Sequence, residues 1–316
     1  MSGKKTSSLT KNKITLQRYM ARVENAKIFM RDHLGQDISL ADIAKASGFS
    51  SFHFHRIFYG LTRETPQDYV RRIRMEKAAN MLYFKAEKSV TDIALSLGFS
   101  SSSNFSKAFK DYFGCTPSQI RNPDAAKDNS KIGAIKSKYG KDFNLEALYP
   151  DPITNEKNQE NMMDVEIKTL EEKDIAIVAS ANGYEDEGIF QAWNQLMTWA
   201  MQNAPSYDAV EKYGFGYDNP TVTPIDKCRY DASVVVGEHW IVPKHFKTSK
   251  IPAGQYAVLY YKGTQEMNAA PHLWLYGEWF PNSGYEPDDY PMFERYLNDV
   301  RNDGYVEKEI FVKIKA

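Results

Sequence analysis

Two short stretches hold the side chains best suited to reading a nucleic acid. Phe52, His53, His55, Arg56 and Tyr59 fall on the outer side of one helix-forming segment, and Ser102, Ser103, Asn104, Ser106, Lys107 and Lys110 on that of another. A cation at Arg56 or Lys107 matches the paired acceptors of a guanine edge, and the amide of Asn104 matches adenine. His55 donates or accepts according to its tautomer, and Phe52 suits a thymine methyl or a sugar. A third group centres on Glu294, with Trp193, Tyr217, Tyr256, Tyr260, Trp274, Trp279 and Tyr296 as candidate lining. A carboxylate beside aromatic rings suits an amphipathic or cationic organic ligand. The plainer alternative is that these rings are core and Glu294 is ion-paired or exposed. If 292–298 is a strand, Glu294 and Tyr296 share one face and Phe293 and Arg295 the other.

The elements that must position the first two groups are repeated. Asp42-Ile-Ala-Lys-Ala-Ser-Gly-Phe-Ser-Ser matches Asp92-Ile-Ala-Leu-Ser-Leu-Gly-Phe-Ser-Ser at seven of ten positions. One residue further along, Phe54, Arg56, Phe58 and Thr65-Pro66 correspond to Phe105, Lys107, Phe109 and Thr116-Pro117. A single repeat of this length is a duplicated supersecondary unit. Each copy has helix-turn-helix spacing. Leu40–Ser47 and Val90–Leu97 each give two helical turns, and Gly48 and Gly98 end them where a positive φ is needed. Ser50 or Ser51 and Ser100 or Ser101 are expected to cap the second helix. Its buried stripe is Phe54, Ile57 and Phe58 in one copy and Phe105, Ala108 and Phe109 in the other. The second helix of each unit is the one expected in a major groove, with the two centres about 34 Å apart if both read one face of a duplex. Pro66 opens the helix between them, whose Arg71, Arg72 and Arg74 are available for phosphates or nearby acids.

Charge divides the chain in the same way. Residues 1–121 carry 20 Lys and Arg against 10 Asp and Glu, a net +10; residues 164–316 carry 14 against 24, a net −10. The basic part suits a polyanion, which the acidic part repels. Residues 122–163 read as a linker with one short helix near 144–148. All five tryptophans follow residue 190. Alternating strands at 165–170, 175–181, 230–236 and 255–261, with helices at 189–201 and 269–280, predict an α+β domain of two similar halves. Each half is strand-strand-helix-strand-strand. The expected organisation is therefore an all-α double helix-turn-helix domain at 14–121, the linker, and an α+β domain at 164–316.

Other functions lack residues to support them. No run of 18 apolar residues is present, so no membrane span is expected. The polar start shows no export signal, and with two distant cysteines, Cys115 and Cys228, it points to a reducing cytoplasm. No phosphate-binding glycine loop, nucleophile elbow, CxxC pair or metal-ligand spacing occurs, so neither cofactor nor metal is expected.

The segment from Ile14 to Arg121 resembles the DNA-binding domain of the AraC/XylS family of bacterial transcription regulators. Ala44…Gly48-Phe49-Ser50, Arg56…Phe58, Thr65-Pro66, Ala94…Gly98-Phe99, Phe105…Phe109 and Gly114…Pro117 carry the resemblance. It implies base contacts at Phe52, His55 and Arg56, and at Ser102, Ser103, Asn104, Ser106 and Lys107. The Ser100–Ser103 run stands where common members have longer polar side chains, which shifts the second head toward phosphate. Residues 164–316 are similar to GyrI-like effector-binding domains, through Tyr256-Ala-Val-Leu-Tyr-Tyr-Lys-Gly, Leu273-Trp…Trp279, Gly284-Tyr-Glu-Pro and Phe293-Glu-Arg-Tyr. That resemblance implies a ligand-contacting glutamate in an aromatic cleft, Glu294 here, and the architecture of the Rob type of activator. Promoter DNA, a small effector and RNA polymerase are the implied partners. A small-molecule hydrolase using Glu294 and the pocket aromatics is the alternative, since some stand-alone relatives have that activity.

Overall fold

A computed structural model of the chain describes residues 2–84, 87–121, 163–218, 220, 223–264, 268–298 and 303–315. The helix expected near 144–148 lies outside the described residues. The chain groups into two compact units. One comprises residues 22–48 and 66–156; the other comprises 1–21, 49–65 and 157–316. The sequence pattern placed 49–65 with the helical domain, whereas by compactness they group with the C-terminal sheet.

Helix α1 spans Ser2–Asp32. In the first unit it is followed by α2 (Leu40–Ser47). Ser39 caps α2 by accepting from the Asp42 amide at 3.2 Å, while Asp42 accepts from the Ser39 amide at 3.0 Å. The duplicated sequence repeats the device. With α3 (Phe54–Thr62) and α4 (Pro66–Phe84) intervening in the chain, α5 (Val90–Ser96) is capped by Ser89 and Asp92 in the same reciprocal way. Two orphan amides are thus satisfied at each helix start. Gly48 and Gly98 take the left-handed conformation, with φ of 72° and 80°, at no Cβ penalty. Helix α6 (Ser102–Phe113) has Ser101 as its cap, as expected, and α7 (Pro117–Arg121) follows with proline in its first turn. Phe105 and Phe109 are fully buried with Ile93, Ala94, Leu97, Met75, Ala78 and Leu82. Arg74 donates to the carbonyls of Leu34 and Gln36, and Arg72 pairs with Glu76, so only Arg71 of the three remains exposed.

The other unit is built on one eight-stranded antiparallel sheet. Its strands are β1 (Val165–Leu170), β2 (Lys173–Ala179), β3 (Lys212–Gly216), β4 (Tyr230–Val235), β5 (Lys247–Ile251), β6 (Gly254–Gly263), β7 (Phe293–Tyr296) and β8 (Val306–Lys313). The order β1-β6-β8-β7-β3-β4-β2-β5 is symmetric about the β7–β3 pair. Helix α8 (Asp186–Ala200) follows β2. The helix in the matching place after β6 runs as α9 (Ala270–Trp274), a π-helical turn (Leu275–Trp279) and α10 (Phe280–Ser283). The expected duplication is therefore present.

Only two residues join β1 to β2, and two join β5 to β6, yet each pair lies six places apart in the sheet. A two-residue link spans roughly 11 Å, so the sheet must roll. Ile175, Ile177 and Ile251 from one end consequently share a core with Tyr256 and Val258 from the other, around Tyr213, Phe215, Phe293 and Phe311. The opposite face carries Ala176, Ala232 and Val234 against Ala192, Leu196 and Trp199 of α8.

Because the two caps are equivalent and exposed, Ser39→Ala and Ser89→Ala should each lower unfolding free energy by about 1 kcal/mol. Urea denaturation of the two variants, monitored by helical circular dichroism, checks this.

Candidate functional site

The second reading helix keeps its expected polar side in solvent. On α6, Ser103, Asn104, Lys107 and Lys110 are exposed and Ser102 and Ser106 half-buried, while Phe105 and Phe109 point inward. Asn104 is steadied by donating from Nδ2 to Ser100 Oγ at 2.9 Å. The serine cap starts the helix here, so Ser102, Ser103, Asn104, Ser106 and Lys107 lie in its first two turns, which in a recognition helix is the part that meets base edges.

The first reading helix is placed differently. The expected exposed stripe of α3 is largely covered. His53 is 0 % exposed and His55 5 %. Phe52, Arg56 and Tyr59 are half-buried. The expected serine cap is also absent. His53 occupies the cap position with no side-chain capping bond, and Ser50 Oγ instead accepts from the Phe52 amide and donates to Asp289 at 2.7 Å. His53 is neutral. Burial and the neighbouring Arg56 charge lower its pKa to about 3. Its Nε2 lies 3.0 Å from the Tyr290 carbonyl, which only accepts, so Nε2 carries the proton. Nδ1 then accepts from the Tyr276 hydroxyl at 2.8 Å. Arg56 donates to the carbonyls of Phe52 and Gly216, at 2.9 and 2.8 Å.

Of the residues proposed around Glu294, the structure brings together only Trp193 and Tyr296 with it. Strand pairing sets Glu294 opposite Gly214 and Ile310. Tyr296 donates to Glu294 Oε2 at 2.9 Å, and Tyr230 reaches the Tyr296 hydroxyl at 3.4 Å. Trp193 of α8 donates to the Tyr230 hydroxyl at 2.9 Å and meets the Tyr296 ring edge-on. Glycine at 214 makes room, because a Cβ there would lie 2.5 Å from the Tyr230 hydroxyl and 2.8 Å from the Tyr296 ring. Two partners were not foreseen. Lys308, 0 % exposed, donates to Glu294 Oε1 at 2.6 Å, and His272 Nε2 lies 2.7 Å from the same oxygen. A lysine on the Ile310–Val312 face of β8 was the signal for the first. His272 gave none.

Of the other five candidate aromatics, four lie elsewhere. Tyr217 and Tyr256 belong to the opposite, enclosed face of the sheet with Phe293. Tyr260 is on that same side of β6 in the alternation, 47 % exposed, and bonded to Glu307. Trp279 stacks on Tyr285. Trp274, half-buried, is two residues beyond His272 on the same helix.

Burial alone would push the Glu294 carboxyl up, but the Lys308 ammonium and the His272 hydrogen bond hold it well below the usual carboxylate range. Burial and the Lys308 charge lower the His272 pKa, so a neutral ring donates Nε2–H to the carboxylate. Burial and the Glu294 charge keep the Tyr296 proton in place. The cluster therefore has one matched ion pair and fixed donors rather than a free negative charge. A carboxylate with so depressed a pKa is also a poor general base. Among the described residues no three His, Cys, Asp or Glu could hold a metal ion, and no helix is long and apolar enough to cross a membrane.

Tandem helix-turn-helix units followed by a rolled sheet with a buried polar cluster are the elements of a DNA-binding protein with a small-molecule domain. Comparison with known proteins agrees. Residues 163–315 match the GyrI-like small molecule binding domain and residues 43–123 a helix-turn-helix domain. A DNA gyrase inhibitor of Escherichia coli is 31 % identical over 157 residues, 48 % of this chain and 98 % of that protein. One from Yersinia enterocolitica is 31 % identical over 134 residues, 41 % of this chain and 83 % of that protein. The chain belongs to the GyrI-like family through its C-terminal half, and its N-terminal part is an AraC-type helix-turn-helix domain. Among solved structures, an AraC-type regulator from Chromobacterium violaceum is 28 % identical with a TM-score of 0.31, over 34 % of this chain and 95 % of that one. The EcmrR C-terminal domain is 12 % identical with a TM-score of 0.41, over 49 % and 98 %. A hydrolase from Listeria innocua is 12 % identical with a TM-score of 0.37, over 48 % and 91 %.

Removing Lys308 would leave the Glu294 charge buried and unmatched. Lys308→Met is expected to cost about 3–5 kcal/mol, and adding Glu294→Gln should recover most of it. Denaturant unfolding followed by tryptophan fluorescence, which reports only on the C-terminal half, measures both.

Proposed function

We propose that this chain is a cytoplasmic transcription regulator that reads promoter DNA with α3 and α6 and binds a small amphipathic effector in the Glu294 cleft. The duplicated, reciprocally capped helix-turn-helix on a net +10 segment carries this reading. Base contacts are assigned to Phe52, His55 and Arg56 on α3 and to Ser102, Ser103, Asn104, Ser106 and Lys107 on α6. An effector without net charge fits best, because Lys308 already answers the carboxylate. The cationic effector loses its main support for the same reason. Trp193, Tyr230 and Tyr296 supply rings and hydroxyls for an amphipathic molecule. Activation through RNA polymerase is the mode that the architecture suggests. The depressed pKa of Glu294 favours binding over hydrolysis.

Footprinting of the full chain on DNA upstream of its own gene tests this. One-sided protection of the groove met by α6 is expected, extending to the adjacent groove when α3 is free, and weakening steeply with salt. Arg56→Ala should cost about 1–3 kcal/mol at a single base position, whereas loss of a phosphate contact would weaken all sequences alike. Protection of an inverted repeat, or none, would refute it.

The relatives favour a second reading, in which the C-terminal half also inhibits DNA gyrase. Nearly the whole length of the Escherichia coli inhibitor corresponds to that half. Its net −10 charge suits a surface that normally meets the DNA-binding face of another protein. Gyrase supercoiling of a plasmid in the presence of the full chain decides it: inhibition at stoichiometric amounts is expected, and unchanged supercoiling at large excess excludes it.

A further inference from the structure

The face by which α3 would read DNA is already occupied. His53, Arg56, Gly60 and Arg63 recur at helical spacing on one side of α3, and each meets the C-terminal domain. His53 is bonded to Tyr276 and Tyr290, and Arg56 to the Gly216 carbonyl. Arg63 is 3.7 Å from Glu278. Between them the two backbones touch. A Cβ on Gly277 would lie 2.7 Å from the Gly60 carbonyl oxygen, and one on Gly60 would lie 2.7 Å from the Gly277 Cα. Arg56 is a proposed base reader, and a guanidinium bonded to Gly216 cannot also lie against a guanine.

We propose that the C-terminal domain is an intramolecular inhibitor of the first helix-turn-helix, holding α3 off DNA through Tyr276, Gly277 and Gly216. This rests on the reading of α3 as a DNA-contacting helix.

Two features make the contact a releasable one. His55 Nε2 is buried without a hydrogen-bond partner, a cost that undocking removes. The docking residues also share their elements with the polar cluster around Glu294. Tyr276 is one turn beyond His272, the Glu294 partner, and Gly216 is two residues beyond Gly214, which lies beneath Tyr230 and Tyr296. A ligand that moves either element disturbs the α3 seat, and it shifts the balance only as far as it prefers the undocked state. The π-helical turn that carries Tyr276 and Gly277 is a helix geometry frequent at functional sites.

Gly277→Ala separates the possibilities, because alanine is favourable within a helix and the atoms nearest the new methyl are those of Gly60 on the docked α3. Duplexes are selected from a random library with the full-length Gly277→Ala chain, and their affinities for the wild-type and variant chains are compared. Amide hydrogen exchange across residues 54–62 is followed without DNA. The variant should bind about tenfold tighter or more, since apparent affinity scales with the competent fraction. Exchange in α3 should quicken while that in α6 stays the same. Tyr276→Phe, which removes the donor to His53, should act in the same direction, and unchanged melting of the C-terminal domain controls for misfolding. Equal exchange would mean α3 is not docked in solution and would overturn the proposal. Faster exchange with equal or weaker DNA affinity would show docking without inhibition and also overturn it. If neither chain selects a duplex, the DNA-binding reading itself fails and the proposal falls with it, while the exchange data still report the docking separately.

Discussion

The rolled sheet is the constraint on which the rest of the C-terminal unit depends. Glu171-Glu172 and Pro252-Ala253 each tie strands from opposite ends of the hydrogen-bonded order. With so little chain available, the sheet must curl until its ends approach, and one face becomes enclosed. Phe215, Phe293, Phe311, Tyr213 and Tyr256 fill that face, where their rings pack largely edge to face. The two central strands, β3 and β7, then present their other face to the helices. There the backbone is kept thin by Gly214 and Gly216, and large polar rings can sit over it.

A charge on that second face has to be answered locally. Burying a carboxylate is unfavourable by several kcal/mol unless a counter-charge and hydrogen bonds are provided. Glu294 receives both: an ammonium from the neighbouring strand, an imidazole N–H from the helix and a phenol two residues along its own strand. All three donors are oriented by secondary structure, so the carboxylate is fixed in position as well as in charge. This makes the cluster a rigid set of hydrogen-bonding groups backed by Trp193.

The same helix that supplies His272 supplies the seat of α3. One element therefore touches both the buried carboxylate and α3, and a shift along it is felt on both sides. The close Gly60–Gly277 approach leaves no slack for partial docking, because packed backbones have discrete arrangements rather than a continuum. The buried, unpartnered His55 ring nitrogen opposes the docked arrangement, and the doubly bonded His53 supports it. Such a balance is what a regulated contact requires.

The helix-turn-helix units were legible because their signals are local. Ser39 and Asp42, Ser89 and Asp92, and Gly48 and Gly98 act within a turn of where they stand, so their types and spacing settle helix starts and stops without reference to distant chain. Alternation likewise placed Glu294 and Tyr296 on one side of a strand opposite Phe293. Which other side chains share that side was decided by strand pairing. Tyr217 and Tyr256 went to the enclosed face, Lys308 came in from β8, and His272 arrived from a helix 22 residues away. The cover over α3 is of the same kind. Composition marks His53, His55 and Arg56 as a polar side of a helix, but whether water, DNA or another part of the chain meets that side depends on contacts more than 150 residues apart in sequence. Local hydrogen bonds and side-chain periodicity belong to the sequence itself. The partners of a buried charge and the occupant of a helix face exist only once the sheet has rolled and brought distant strands together.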